Sequence, residues 1–413
     1  MPQPDANDDA VTRQLARDFD PGRLPAGFYE DPYPVYRALQ RFDPLHACPD
    51  GSLFVTRAGD LDTVYRDRTH FSSDKRVAFA PRFGTDSPLF EHHTTSLVFN
   101  DPPYHTRVRR HIVSALSPAT LKAMSRDLEI LIERLCDAMQ TRGDVDLIED
   151  FAAAIPVEVI GNLLGVPAQE RGALRGWSVA ILAALDPAPT PAALARGNAS
   201  VTEFLEFTRA LLADRRRRPR GAEDLLSRLI LEESAQEPLT ATELQHNCIF
   251  LLNAGHETTT NLIGNGLQLL LSHPAERERL SAEPGFIGSA VEECLRFESP
   301  NQLGNRLVVQ DMTLGDRHLT TGTYLTLCIG AANRDPDAFE DPDRFDITRQ
   351  SNRHVAFAAG AHACAGMNVA RLEGQLAIAA FLRRFPRAEL TGGARRSPRA
   401  RFRGFESLPA RID

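Results

Sequence analysis

The chain has 413 residues, of which 42% are hydrophobic and 25% are charged, and its formal net charge is −8. This composition excludes a disordered tail, a fibre and a disulfide-stapled mini-protein, and the acidic balance lacks the positive field of a nucleic-acid-binding protein. The six cysteines are widely spaced and contain no CxxC pair, which argues against a disulfide framework and a structural zinc site. We therefore expect a reduced compartment.

The first twenty residues are acidic and polar. They lack the basic and apolar regions of a secretion signal, and no later segment approaches the roughly 20 apolar residues that span a bilayer. We expect a polar N-terminal extension over residues 1–20, no membrane anchor and a cytoplasmic location. The length permits either two or three average domains or one large domain around a cofactor. Because residues 21–413 contain no repeat and no obvious linker, we favour a single domain there.

Helical periodicity dominates the chain. A Pro-rich segment leads into a short helix that ends near residue 40, and an apolar run at 52–56 has β character. Residues 72–100 show no clear period, so we expect a long loop there. Helices are predicted over 104–116, 118–141, 157–164, 168–185, 191–217, 222–234 and 365–385. With strands expected at 306–329 and near the C-terminus, the sequence predicts a mainly α fold with a small β-rich portion.

The segment from Thr240 to Leu271 predicts one long helix, capped by Thr240 with Glu243 three residues further on. At 1.5 Å per residue it is about 48 Å long, so we expect it to cross the middle of a domain. One of its faces mixes small and polar residues with a carboxylate, namely Phe250, Asn253, Ala254, Glu257 and Thr258. This face either meets solvent or serves a site inside the protein, and the periodicity leaves the two readings about equal.

Glu293 and Arg296 lie three residues apart on another predicted helix. Such a pair is most often a surface ion pair that contributes roughly 0.3–0.5 kcal/mol. Apolar residues flank it, however, so part of this helix is expected to be buried. A buried bidentate pair needs a further partner, for which Arg344 is the candidate.

Residues 357–366 read Phe-Ala-Ala-Gly-Ala-His-Ala-Cys-Ala-Gly. A lone cysteine is usually an inert core residue. Cys364, however, follows a loop of small residues that allows a flat ligand to approach, and it opens the last predicted helix, whose dipole stabilises a thiolate. One thiolate can ligate a soft metal, whereas zinc and iron–sulfur clusters need several ligands and fit poorly.

Together these motifs resemble those of the soluble bacterial cytochrome P450 haem-thiolate monooxygenases. The matching segments, in family order and spacing, are Asp101-Pro-Pro-Tyr-His105-Thr-Arg-Val-Arg109, Ala254-Gly-His-Glu-Thr-Thr259, Glu293-x-x-Arg296, Asn333-Arg-Asp-Pro336, Asp341-Pro-Asp-Arg-Phe345 and the Cys364 segment. Ala358 departs from the family, which usually has Gly there. The resemblance runs from about residue 20 to the C-terminus. It implies the cytochrome P450 fold, with haem b held between the long central helix and a C-terminal helix.

The resemblance also implies a role for each motif residue. Cys364 would be the axial thiolate ligand of the haem iron, with Phe357 and Gly366 beside it. The haem propionates would be bound by His105, Arg109, Arg306 and His362. On the opposite face Ala254 and Gly255 would leave room for O2, and Thr258 and Glu257 would relay protons. A buried structural triad would consist of Glu293, Arg296 and Arg344.

The substrate pocket is expected to include Phe250, Asn253, Gln302 and Leu303, with the segments 77–98, 181–191 and 400–403. Asn253 would either anchor a polar substrate group or bond within its own helix, and the sequence leaves these two equal. The pocket suits a mostly apolar organic molecule.

The expected activity is insertion of one oxygen atom of O2 into such a molecule by a monomeric enzyme. The resemblance implies electrons from NAD(P)H through a separate ferredoxin and its reductase, and candidate docking residues are Arg107, Arg110, Arg353 and Arg371. Three alternatives remain: a peroxide-driven peroxygenase of the same fold, a non-catalytic haem protein that carries or senses a gas, and a helical scaffold without haem.

Overall fold

The computed structural model describes residues 6–116, 118–218, 225–231 and 237–412. Their α-helices are α1 (Ala6–Arg17), α2 (Tyr33–Phe42), α3 (Ala58–Arg66), α4 (Arg76–Phe83), α5 (Pro88–Thr95), α6 (Tyr104–Ala115), α7 (Pro118–Gln140), α8 (Ala154–Leu163), α9 (Leu174–Ala183), α10 (Pro191–Arg217), α11 (Leu225–Leu231), α12 (Ala241–Ser272), α13 (Pro274–Ala282), α14 (Ile287–Phe297), α15 (Ile329–Ala332) and α16 (Met367–Arg384). Their strands are β1 (Leu45–Ala47), β2 (Leu53–Val55), β3 (Phe71–Ser72), β4 (Asp144–Asp146), β5 (Leu303–Val308), β6 (Met312–Leu314), β7 (Arg317–Leu319), β8 (Tyr324–Cys328), β9 (Glu389–Leu390), β10 (Arg395–Arg396), β11 (Phe405–Ser407) and β12 (Pro409–Arg411). The predicted mainly α fold with a small β-rich portion is confirmed.

The long helix α12 is the axis of the molecule. The hydroxyl of Thr240 accepts a hydrogen bond from the Glu243 N–H (3.2 Å), and the Glu243 carboxylate accepts one from the Thr240 N–H (2.8 Å). This reciprocal pair is the predicted capping box, and it satisfies two backbone donors that the helix itself leaves free. From Leu244 onward most of α12 is buried, and it packs against α8, α9, α10, α14 and α16. The prediction of a helix through the centre of the domain is confirmed.

The larger sheet lies beside this helical core and carries β5 to the site. Its strand order is β1-β2-β8-β5-β3, with β2 and β8 parallel and the other neighbours antiparallel. In β5 Asn305 pairs with Thr326 and Arg306 with Leu325. Burial of Leu325 and Leu327 in an apolar cluster beneath the sheet fixes this register, because a shift by one residue would turn every side chain to the other face.

The predicted loop at 72–100 is wrong, because this segment contains α4, α5 and a 3-10 turn at Leu97–Phe99. The two helices have eight residues each, and α4 contains Pro81, so neither shows a helical period. A local signal was present: Ser87 caps α5 through its hydroxyl, and Pro88 occupies the first helical position.

Two other segments differ from their predicted form. The helix predicted at 168–185 is divided into a 3-10 helix, Ala168–Ala173, and α9. Residues 1–20, expected as a polar extension, include α1, and Ala16 and Phe19 are buried against the core. The helix predicted at 222–234 is represented by α11, and its remaining positions lie outside the described residues. In the described part of the chain no helix is both long enough and apolar enough to cross a membrane.

Candidate active site

A cavity lies between α12 and the loop that carries Cys364. It contains about 2060 Å³ of space unfilled by protein atoms, part of it open to solvent. Most of the residues predicted for the site line this one cavity: His105, Arg109, Phe250, Asn253, Ala254, Gly255, Thr258, Leu303, Arg306, Phe357, His362, Cys364 and Gly366. Segments separated by more than 200 residues in the chain therefore meet at a single site.

Cys364 is partly exposed as a residue, whereas the other five cysteines are buried, but its thiol group is surrounded by protein atoms. Its backbone N–H donates to the carbonyl of Phe357 (2.9 Å), which closes the loop. Helix α16 begins at Met367 with Gly366 as N-cap, so Cys364 precedes the helix rather than opening it. Burial raises the pKa of the thiol, while the Gly366 N–H and the positive charges of Arg109 and Arg371 oppose this shift. Coordination to a metal ion would deprotonate the sulfur outright.

The Cys364 loop contains two residues with positive φ. Gly360 has φ 67°, and a Cβ there would lie 2.3 Å from the carbonyl oxygen of Tyr65, so no larger residue fits. Ala358 has φ 55° although it carries a side chain. This left-handed conformation costs an L-residue roughly 1–2 kcal/mol. The departure from the family pattern at Ala358 therefore stores strain in the loop.

We expect Ala358→Gly to stabilise the protein. Relief of the left-handed strain, about 1–2 kcal/mol, exceeds the roughly 0.4–1 kcal/mol of chain entropy that a new glycine costs, which leaves a net gain of about 0.5–1 kcal/mol. Denaturant unfolding measures the change. The matched control is Ala359→Gly, since Ala359 has φ −147° and no strain to release. It should lose about 1 kcal/mol, and a loss of similar size for Ala358→Gly would contradict the assignment of strain.

Cationic and imidazole groups cluster where the haem carboxylates are expected. The rings of His105 and His362 lie 3.9 Å apart, and both ring nitrogens of His105 are buried without a hydrogen-bond partner. Burial lowers the pKa of His105 to about 4, aided by the charge of Arg109. Within the described residues neither Arg109 nor Arg306 has a carboxylate within 4.0 Å. Unpaired donors and charges of this kind fit a flat group that brings its own carboxylates.

The α12 wall of the cavity is shaped by small residues. Ala254 is exposed to the cavity, although most of α12 is buried. The Thr258 hydroxyl donates to the carbonyl of Ala254 (2.6 Å), a bond that competes with the helix ladder. A Cβ on Gly255 would lie 2.6 Å from Cδ1 of Ile160. Gly255 therefore also permits the close packing of α8 on α12, a role that the sequence did not suggest.

Glu257 does not line the cavity, contrary to the expectation that it faces the O2 site beside Thr258. Its side chain is buried and forms an ion pair with Arg399. A buried carboxylate needs a cation, and the C-terminal segment supplies one. The sequence did not indicate Arg399, because it lies 142 positions further along the chain and no local pattern links the two residues.

Gln302 also points away from the cavity, although it was expected in the substrate pocket. It is buried, and its amide donates to the carbonyl of Ser299 (2.7 Å). Its backbone carbonyl accepts from the Ile329 N–H (2.8 Å), so Gln302 joins the start of β5 to α15. The neighbouring Asn301 and Leu303 line the cavity instead.

Glu293 and Arg296 form a bidentate pair with two 2.8 Å contacts, and both side chains are fully buried. The third member is Arg349, whose Nε lies 3.2 Å from Glu293 Oε2. The prediction of Arg344 is wrong: its side chain is 60% exposed and contacts Asp346. Arg344 contributes only its backbone carbonyl, which accepts from Arg296 (3.1 Å). The triad therefore has the expected charges with a different third residue.

Several polar residues of the cavity wall were not named individually from the sequence, although three of them, His92, His93 and Arg401, lie in the segments 77–98 and 400–403 predicted as pocket. His92 and His93 are buried and belong to α5, in the segment predicted as loop. His92 Nε2 lies 3.4 Å from the amide nitrogen of Asn253, whose oxygen is buried without a partner. Asn253 thus bonds across the cavity wall rather than within α12. Lys75 and Arg401 also line the cavity. Arg401 belongs to the segment 400–403 that was predicted as pocket, whereas Lys75 lies outside the predicted pocket segments.

Comparisons with known proteins agree with this geometry. A family model described as cytochrome P450 matches residues 185–405. The chain is 34% identical to a biotin biosynthesis cytochrome P450 of Bacillus subtilis, over 94% of this chain and 97% of the relative. It is 36% identical to vitamin D(3) 25-hydroxylase of Pseudonocardia autotrophica, over 89% of each chain.

A solved cytochrome P450 structure has the same fold as this chain. The myxobacterial cytochrome P450 CYP267B1 in complex with myristic acid has a TM-score of 0.86 and 36% identity, covering 94% of this chain and 98% of that chain. Proteins of this family hold haem through a cysteine thiolate and use O2 to oxidise small molecules. On sequence, fold and site, the chain belongs to the cytochrome P450 family of haem-thiolate monooxygenases.

Proposed function

We propose that this enzyme hydroxylates a largely apolar organic molecule that enters the cavity between α12 and the Cys364 loop. That cavity carries the proposal, because it joins a cysteine to an apolar wall that includes Phe250 and Leu303. Relatives of the chain support the size of the substrate: one is named for hydroxylation of vitamin D(3), and one solved neighbour is in complex with myristic acid. The enzyme is further proposed to act as a cytoplasmic monomer, with residues 21–413 and the packed helix α1 in one domain.

The cofactor would be held from both sides of the cavity. Cys364 would ligate the iron, while Arg109 and Arg306, with His105 and His362, would bind the two propionates. When bound, haem supplies the activation of O2, and a thiolate ligand favours cleavage of the O–O bond by donating electron density. The protein's own task is to exclude water, orient the substrate and deliver protons at defined atoms.

Proton delivery is assigned to the hydroxyl of Thr258. It lines the cavity, whereas Glu257 is held by Arg399. We expect Thr258→Ala to divert electrons from NAD(P)H into hydrogen peroxide and to lower coupled product about 10²-fold, because a positioned proton donor contributes about 10²–10⁴ in rate. Peroxide and product formed per NAD(P)H consumed measure the effect.

Thr260→Ala is the matched control for this substitution. Thr260 makes the same kind of bond within α12, donating to the carbonyl of His256 (3.0 Å), but it does not line the cavity. Its coupling should match that of the unaltered enzyme. Coupled turnover that survives in Thr258→Ala would refute the assignment and favour the peroxide-driven alternative, which turnover with peroxide alone would then show directly.

The electron donor is proposed to be a separate ferredoxin that docks on the Cys364 side. Among the candidate arginines, Arg371 is paired with Glu292 (2.7 Å), Arg107 with Glu243 and Arg110 with Glu237. Arg353 is exposed and, within the described residues, has no carboxylate within 4.0 Å. Its neighbour His354 contacts Phe357, with ring centroids 5.9 Å apart, which places Arg353 next to the loop.

We expect Arg353→Glu to slow reduction by ferredoxin about tenfold at low salt and the difference to shrink as salt rises, because charge reversal mainly changes the association rate. Stopped-flow reduction measures the rate. Arg387→Glu is the control, since Arg387 lies beyond the far end of α16, which is about 27 Å long. Equal reduction rates for both variants would rule out docking at Arg353.

A further inference from the structure

Three cationic side chains converge on one neutral residue of β5. The backbone carbonyl of Asn305 accepts from Lys75 Nζ (3.3 Å) and from Arg306 Nη1 (2.8 Å), and its side-chain oxygen accepts from Arg401 Nη2. All of these residues line the cavity. Lys75 is 1% exposed and Arg306 is 9% exposed, so their charges are withdrawn from water.

Three carboxylates lie near these charges, Asp74, Asp101 and Asp186, but within the described residues none of them forms an ion pair with the three cations. Within the described residues none of the three cations has a carboxylate oxygen within 4.0 Å. The nearby Asp101 instead accepts from the Ser72 hydroxyl and the Ser73 N–H, and Asp186 accepts from the backbone N–H of Arg401. Burial is the main cause that lowers the pKa of Lys75, Arg306 and Arg401, whereas the charge of Asp101 opposes this shift at Lys75 and Arg306 and that of Asp186 opposes it at Arg401.

Hydrogen bonds to carbonyl groups hold Arg401 without neutralising it. Its Nε donates to Leu185 (3.1 Å) and its Nη1 to Leu303 (2.9 Å). Together with Asn305 these oxygens use three of its five N–H groups, which leaves two for an incoming acceptor. Hydrogen bonds satisfy donors, but a buried charge remains costly until an opposite charge approaches it.

The haem does not supply enough negative charge for the whole set. The two propionates of a bound haem would be balanced by Arg109 and Arg306, with His105 and His362 as further donors. One carboxyl group, Glu373, occurs among the described lining residues, and burial raises its pKa well above the usual value, which disfavours its charged form. Lys75 and Arg401 are therefore left without a carboxylate in direct contact.

We propose that the substrate is a carboxylic acid whose carboxylate binds between Lys75 and Arg401 while its hydrocarbon part lies in the apolar cavity. This inference rests on the proposed function. The wall next to Arg401 suits such a molecule, since it contains the apolar side chains of Leu182, Leu185 and Phe402. The two remaining N–H groups of Arg401 can bind a carboxylate through charge-assisted hydrogen bonds.

The test compares tetradecanoate with 1-tetradecanol, which share a chain length and differ at the head group. Binding to the haem-loaded enzyme is followed by the ligand-induced spin-state shift and independently by calorimetry. We expect the acid to bind at least tenfold more tightly than the alcohol. Arg401→Gln and Lys75→Met should each reduce this preference about tenfold, because they should weaken binding of the acid far more than binding of the alcohol, and Arg401→Lys should restore part of it.

The ratio of the two affinities within each variant cancels any general loss of folded protein, and haem content is measured in parallel. A preference that survives both Arg401→Gln and Lys75→Met would overturn the proposal, as would equal binding of acid and alcohol to the unaltered enzyme. If Lys75→Met lowers haem content and leaves the preference intact, Lys75 serves a propionate and its part of the proposal fails. The reduced carbon monoxide spectrum separates this inference from the proposed function, because a normal thiolate spectrum with equal binding refutes the inference alone.

Discussion

Replacement of Arg296 by Met should lower the free energy of unfolding by about 3–5 kcal/mol, which is a large part of the roughly 5–15 kcal/mol that stabilises a typical domain. All five N–H groups of Arg296 donate, to both oxygens of Glu293 and to the backbone carbonyls of Asn333, Pro342 and Arg344. Without the guanidinium, three carbonyls and a fully buried carboxylate lose a partner. Denaturant unfolding of the haem-loaded protein, followed by the fluorescence of its single tryptophan, Trp177, measures the loss.

Two further substitutions separate the observed triad from the predicted one. Arg349→Leu should cost about 1–3 kcal/mol, because the Arg349 side chain is 11% exposed and contacts the Glu293 carboxylate. Arg344→Ala should change stability by less than about 0.5 kcal/mol, since that side chain is mostly in solvent. A larger loss for Arg344→Ala than for Arg349→Leu would reverse the correction and restore the sequence-based triad.

Replacement of Cys364 by Ser should reduce product formation to the rate of the reaction without enzyme. A serine hydroxyl does not match a thiolate as a ligand for iron and supplies none of its electron density, so both haem binding and O–O cleavage suffer. Product formation with NAD(P)H, ferredoxin and reductase measures the loss, and the absorption spectrum reports the ligand. Cys136→Ala is the control, because Cys136 is buried in α7 and does not line the cavity. Product from Cys364→Ser at the rate of the control would contradict the ligand assignment.

The features that the sequence predicted well are encoded locally. The capping box at Thr240 and Glu243, the length of α12 and the position of α16 follow from spacings of three or four residues, and such spacings are visible in a single segment. The bidentate contact of Glu293 with Arg296 belongs to the same class, because both residues lie one turn apart on α14. Motifs of fixed spacing therefore identify their residues without any knowledge of contacts to distant segments.

The features that the sequence missed depend on contacts between distant segments. Arg399 pairs with Glu257, which does not line the cavity, and Arg349 pairs with Glu293 in place of Arg344. No local sequence pattern links either arginine to its glutamate. Lys75 and Arg401 are linked only through Asn305 of β5, to which both side chains donate hydrogen bonds. The charge and composition of the chain do not predict contacts of this kind, because they form only when the sheet is folded against α12.

We propose that the cavity holds haem through the Cys364 thiolate. The most direct measurement is the absorption spectrum of the purified protein after reduction and exposure to carbon monoxide. We expect a haem-containing protein with the red-shifted band of a thiolate-ligated carbon monoxide complex. A protein that binds no haem, or one whose band lies where histidine-ligated haem absorbs, would contradict it.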